Sequence, residues 1–171
     1  MKNEGEILTQ NRLGFERLNI ALGILYNEWY ELISNQLSES VGMNLELGCG
    51  ASFIDKKIKN IIKSDVFLNS NTDLKIDAME VGLKYENKIS NLILINVFHH
   101  VSNPELFLRS AEKSLLSGGR IIMIEPSNNI WSRLVYKLVG HEKFDTKQIN
   151  WEFKSNDPLL DSNQALSWII F

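Results

Sequence analysis

The stretch Asn44-Leu45-Glu46-Leu47-Gly48-Cys49-Gly50-Ala51-Ser52-Phe53 decides how this chain folds. An apolar strand enters a glycine-rich turn, and a short helical segment follows it. Gly48 and Gly50 carry no Cβ, so the backbone there can turn tightly and come close to a ligand. Such a loop, at the carboxyl end of a first strand and opening a helix, is where open α/β sheets bind nucleotide-like molecules. The dinucleotide fingerprint needs Gly or Ala three residues after the second glycine. Phe53 stands there instead. Glu46, two residues before Gly48, places a carboxylate at the strand end. That charge repels a pyrophosphate and suits a ligand bearing an ammonium and a sulfonium.

Working outward, strand one is expected over residues 43–47, a helix over about 53–59, and strand two over Ile61-Ile62-Lys63-Ser64-Asp65. Asp65 falls nineteen positions after Glu46 and seventeen after Gly48. An acid about 20 residues along such a fold accepts hydrogen bonds from ribose hydroxyls. The alternative for Asp65 is a solvated turn aspartate. Only Val66 to Asp73 separates it from the next element, too few residues for a crossover helix, so a turn-like connection is expected. Leu74-Lys75-Ile76-Asp77 reads as strand three ending in Asp77, with a capping aspartate as the alternative. The near-continuous apolar run Asn91 to Val97 reads as a strand buried on both faces. Asn103-Pro104-Glu105 is a helix start, Ser117-Gly118-Gly119 its stop, and Arg120 to Pro126 the next strand. The inward stripe of that helix is Phe107, Leu108, Ala111 and Leu115.

Glu-Leu-Gly-Cys-Gly at 46–50 resembles motif I of the class I S-adenosylmethionine-dependent methyltransferases. Phe98-His99-His100-Val101 resembles motif IV of their small-molecule and lipid-type members, and the order from His99 through Gly118-Gly119 to Pro126 matches the family's. The resemblance, of the methyltransferase type 11 kind, covers about residues 44–171. It implies S-adenosyl-L-methionine as cofactor and methyl transfer to a small-molecule acceptor that the sequence does not name. It also implies cofactor contacts from Glu46, Gly48, Cys49, Gly50, Asp65, Asp77, Ala78 and Asn96. His99 or His100, at most one, is the candidate base, since adjacent residues on an extended segment point to opposite sides. A structural role for both histidines is the alternative, because methyl transfer often needs only alignment. Glu125 and His141 are candidate substrate contacts, with Trp151 and Trp168 as further ones.

Before the glycine loop, Leu18, Leu22, Leu25, Trp29 and Leu32 recur at helical spacing, which predicts an amphipathic helix over about residues 11–37. In the family such a helix often covers the ligand pocket, and Tyr26, Trp29 and Tyr30 are placed to contribute. After strand five, residues 130–139 read as a helix with Trp131, Leu134, Val135 and Leu138 inward. The chain divides into an N-terminal helical segment, 1–40, and one methyltransferase-type domain, 41–171. The expected fold is a Rossmann-like open sheet, mostly parallel, with helices on both faces. Ser167-Trp168-Ile169-Ile170-Phe171 reads as the beginning of a strand, so the family's final β-hairpin is largely absent. Either the chain is a C-terminally truncated form, or a dimer or other partner covers that edge.

Composition narrows the class further. With 171 residues, 44% hydrophobic and 23% charged, the chain reads as one globular domain. A net charge of −3 without a basic run argues against a broad nucleic-acid surface. One cysteine excludes an intramolecular disulfide, the start is polar, and no apolar run is long enough to span a bilayer. A cytoplasmic protein is expected. No metal-ligand spacing occurs. Two rivals stand beside the methyltransferase reading. One is a noncatalytic remnant acting as a binding or interaction module; the other is an NAD-dependent oxidoreductase, opposed by Phe53 and Glu46.

Overall fold

A computed structural model describes residues 20–139, 143–148, 151–153 and 161–171. Five strands form one open sheet: β1 (Met43–Leu47), β2 (Ile61–Asp65), β3 (Leu74–Lys75), β4 (Ile89–Ile95) and β5 (Leu115–Ile124), in the order β3-β2-β1-β4-β5. Every pairing is parallel, with Leu45 beside Ile62 on one side and Leu92 on the other. Chain order reverses direction between β1 and β4, and this switch point opens a crevice at the carboxyl ends of the strands.

The pleat sorts β4 into two faces. Leu92 and Leu94 join Leu45, Leu47, Phe98, Phe107 and Ala111 in one buried cluster, while Ile93 joins Tyr30, Ile33, Ile54 and Ile58 in another. The first face is covered by α2 (Val81–Lys84) and α3 (Pro104–Ser114), the second by α1 (Ile20–Ser34) and the turn after the glycine loop. Asn103 caps α3 by accepting from the Leu106 amide at 2.8 Å, with Pro104 opening the first turn. The expected stripe of α3 is observed, with Phe107 and Ala111 fully buried and Leu108 and Leu115 packed against the same cluster.

Several local expectations are corrected. The part of the N-terminal helix before Ile20 lies outside the described residues, and the stripe of α1 differs from the predicted one. Leu25 and Leu32 are exposed, whereas Tyr30 and Ile33 are buried. The contact is aromatic: Tyr26 and Tyr30 pack on Phe53 with ring centroids 5.9 and 5.1 Å away. After the glycine loop there is only a 3-10 turn, Ile54–Lys56, because the Ser52 hydroxyl accepts from the Ile54 amide and Asn60 breaks the chain at φ 56°. β3 stops at Lys75, since Asp77 caps a 3-10 turn at Ala78–Glu80. β4 starts earlier than expected, at Ile89, and ends at Ile95. The Val66–Asp73 connection contains no helix, as its length requires.

Helix α3 ends at Ser114, before Gly118-Gly119, which instead lie in a register irregularity of β5. In α4 (Ile130–Val139) two members of the predicted inward stripe face outward, Trp131 at 76% exposure and Leu134 exposed too, while the side chains of Val135 and Leu138 lie outside the described ones. The tail is a helix, α5 (Leu166–Ile170), and not a strand. Asn163 starts it by accepting from the Leu166 amide on its carbonyl and from the Ala165 amide on its side chain. Leu166 then buries in the first cluster and Phe171 packs on Phe98. Among the described residues no strand follows β5.

Candidate functional site

A cavity of about 350 Å³ lies over the carboxyl ends of β1, β2 and β4. That volume is in the range of small-molecule sites. Glu46, Gly48, Cys49, Gly50, Asp65, Asp77, Ala78 and Asn96 all line it. They come from four separate stretches of chain, and the sheet topology brings them together.

The glycine loop forms the floor. Gly48 has φ 63°, and a Cβ built there would sit 2.5 Å from a Val97 methyl, so the loop after β4 packs directly on this backbone. Gly50 has φ 46° and faces open space, leaving its backbone accessible. The Asp65 carboxylate ties the loop to β2, accepting from the Gly50 amide at 2.9 Å and the Phe67 amide at 3.1 Å. Burial pushes the Asp65 carboxyl above its ordinary range, against the pull of those amides. Asn71 braces the loop from the β2–β3 connection, donating to the carbonyls of Ser52 at 2.7 Å and Gly50 at 3.2 Å. Its role was not read from the sequence, where a turn asparagine gives no signal of what it will reach.

Glu46 is the most unusual group in the wall. It is 2% exposed, and its Oε2 has no hydrogen-bond partner. Burial drives its carboxyl up to about 8, with the neighbouring Ser52 hydroxyl and the positive charge of Lys63 acting in the opposite direction. Cys49 is buried, its thiol pushed up to about 12 by desolvation, then by Glu46 and Asp65, so it is a small neutral loop residue. Asp77 accepts from the Met79 amide at 2.9 Å through Oδ1. Ser52, Met79 and Ser102 also line the cavity, though no sequence pattern singled them out; Tyr26 reaches it from α1.

The histidines sit on a 3-10 turn, Phe98–His100, and not on an extended segment. Strand alternation therefore does not separate them, and their ring centroids lie 4.3 Å apart. His100 lines the cavity. His99 is buried and its Nδ1 lies 2.6 Å from Glu125 Oε2. With the carboxylate ionised, Nδ1 carries the proton and donates it. The other Glu125 oxygen accepts from the Val97 and Phe98 amides at 2.9 and 2.7 Å. Glu125 is thus engaged with the turn carrying the histidine pair, and it borders a separate hollow with Trp168 and Phe171. Asn96, at φ 54°, follows β4 and donates its amide to the Ile124 carbonyl at 2.8 Å. His141 lies outside the described residues. Trp151 and Trp168 are both exposed.

An open parallel sheet with a glycine-floored, acid-walled cavity at its switch point places the chain in the Rossmann-like α/β class. No protein-family model matches the chain, and no curated protein does. Among solved structures, it matches the CurJ carbon methyltransferase with a TM-score of 0.52 and 15% identity, over 77% of this chain and 43% of that one. The citrinin polyketide synthase CMeT domain matches at a TM-score of 0.48 and 12% identity, over 85% of this chain and 44% of that one. The chain thus spans less than half the length of either structure. Its fold is similar to that of the CurJ carbon methyltransferase.

Proposed function

We propose that this chain is a methyltransferase domain that binds S-adenosyl-L-methionine in the cavity over β1 and β4 and methylates a small-molecule acceptor. The observation that carries the proposal is Glu46, a buried carboxylate with an unpartnered oxygen in the wall of a glycine-floored cavity. A buried acceptor of this kind is costly unless a donor meets it, and a cationic ligand supplies one. When bound, S-adenosylmethionine supplies an electrophilic sulfonium methyl that an acceptor nucleophile, attacking in line, takes up with release of S-adenosylhomocysteine.

The chain's own residues do the binding and alignment. Glu46 faces the ligand's ammonium, and Asp65 keeps lone pairs for the ribose diol beyond its bonds to Gly50 and Phe67. Asp77 and Ala78 border the adenine amino group, Gly48, Cys49 and Gly50 pass beneath the ligand, and Asn96 lies by its methionine part. The turn-like β2–β3 connection leaves the adenine side more open. His100, in the cavity wall, is positioned to take a proton from the acceptor, while His99 is held behind it by Glu125. Glu125 bears on the acceptor through this turn, and His141 remains a candidate acceptor contact.

Titration calorimetry with S-adenosylhomocysteine and, separately, NAD tests the assignment. Saturable binding of the first, weakened at least tenfold in Asp77→Ala, with none of the second, is the expected result. Binding of NAD alone would replace this reading with an oxidoreductase. Cofactor binding without transfer to any acceptor across a broad screen would favour a noncatalytic module.

A further inference from the structure

Helix α4 is amphipathic, yet residues of its apolar half stand in solvent. At about 3.6 residues per turn, the positions of Ile130, Trp131, Leu134, Val135 and Leu138 fall within one half of its circumference. Arg133 and Lys137 fall one turn apart in the other half. A helix that covers a sheet buries its apolar half. Here Ile130 is 86% exposed, and Trp131, Arg133 and Leu134 are exposed with it. The start of the helix is firmly built. Asn129 accepts from the Ser132 amide at 2.8 Å on its side chain and from the Arg133 amide at 2.9 Å on its carbonyl. Arg133 Nε donates to Asn128 Oδ1, which ties α4 to the loop after β5. Asn128 lines the open hollow beside β5, and a second exposed tryptophan, Trp168, borders the same hollow.

Charge says what such a face can meet. From Pro126 to Val139 the only charged residues are Arg133 and Lys137, although the chain as a whole carries −3. No Asp, Glu, Lys or Arg occurs from Ser162 to Phe171 either. Exposed tryptophan beside leucine and isoleucine, accompanied by cations and free of acids, is the make-up of a helix that lies in an anionic lipid interface. A second copy of the chain fits less well. Pairing through this face brings Arg133 and Lys137 near their own images, and the helix has no acid to answer them. Its 10 residues give a length of about 15 Å, enough to lie on a bilayer and too little to cross one. We propose that α4 docks this domain on an anionic lipid surface, seating Ile130, Trp131 and Leu134 at the acyl boundary while Arg133 and Lys137 meet the headgroups. The proposal stands apart from the cofactor reading, since none of these residues lines the cavity over β1 and β4.

The test is sedimentation with vesicles of phosphatidylcholine and phosphatidylserine in equal parts, with vesicles of phosphatidylcholine alone as the reference. Wild type is expected to partition roughly tenfold more strongly onto the anionic vesicles and to lose most of that preference as salt is raised. Trp131→Ser lowers partition roughly fivefold or more. Lys137→Gln lowers it roughly threefold to fivefold on anionic vesicles and hardly at all on neutral ones. Trp131 is exposed, so Trp131→Ser melts as wild type does, and a loss of partition is then a loss of contact with lipid. Tryptophan emission shifts to the blue on the anionic vesicles, and the shift shrinks in Trp131→Ser. Equal partition onto both vesicle types, or an anionic preference that Trp131→Ser leaves intact, overturns the proposal. So does the absence of vesicle binding, whether light scattering then finds a monomer or a dimer that Trp131→Ser dissociates. Titration with S-adenosylhomocysteine on the same variants reads the cofactor site separately, and its result is expected to match wild type.

Discussion

Glu46 sets the behaviour of the molecule at the scale of a single residue. Its carboxyl is raised by burial from an ordinary 4.5 to about 8. The folded state therefore holds this proton more tightly than the unfolded chain does. The resulting stability is fully present below pH 4.5 and is lost as pH rises through about 8. Asp65, raised in the same direction, adds to that trend. Ligand-free protein is expected to lose on the order of a few kcal/mol across that window. Glu46→Gln flattens most of the dependence and is the more stable protein at pH 8, as urea melts at several pH values will report. Gly48 gives a second prediction. A methyl there meets Val97 and forces a left-handed backbone on a side chain, so Gly48→Ala costs roughly 2–4 kcal/mol. Thermal melts of the variant check this.

The acids that line the cavity could be placed at this scale because their signal is one of position. An acid two residues before a glycine turn, and others at the ends of the next strands, must converge wherever parallel strands lie side by side. The engagements of Glu125, Asn71 and Asn163 were not legible, since each reaches a partner distant in sequence. Glu125, read as a substrate contact from its place after β5, bonds to the turn at Val97–His99.

Strands were more legible than helices at the scale of elements. β1 and β2 have the expected bounds because short apolar runs between turn residues leave little choice. Helix faces were harder. In α1, leucine periodicity pointed to Leu25 and Leu32, but the aromatic contact with Phe53 chose Tyr26 and Tyr30. In the tail, Trp-Ile-Ile-Phe has strand composition, yet Asn163 nucleates a helix there. Asn163 also donates to the Asp145 carbonyl and Gln148 Oε1, accepts from the Asp145 amide, and gives its own amide to the His99 carbonyl. It joins α5, the 143–148 segment and the histidine turn. Asn163→Ala is expected to destabilise by roughly 2–4 kcal/mol, since several buried groups lose partners together. Hydrogen exchange should show the loss concentrated at Phe98–His100 and α5, whereas a uniform loss would contradict this coupling.

At the scale of the whole molecule, the sheet order joins these parts into one site. β1 and β4 are adjacent in space but well separated in sequence, and their connections leave in opposite directions, so the crevice between them is inherent in the topology. This arrangement was readable from the order of strands and the placement of glycines. The cover over β5 was not, because Trp131, Trp168 and Phe171 all stand exposed and their periodicity says nothing of what they meet. No helix of the described residues is long and apolar enough to cross a membrane.

The most direct test of the central claim is a crystal structure of the chain soaked with S-adenosylhomocysteine. The account predicts density in the cavity over β1 and β4, with the amino group on Glu46 Oε2, the ribose hydroxyls at Asp65 and the adenine beside Asp77 and Ala78. Density elsewhere, or a ligand in the cavity with its amino group turned away from Glu46, would contradict it.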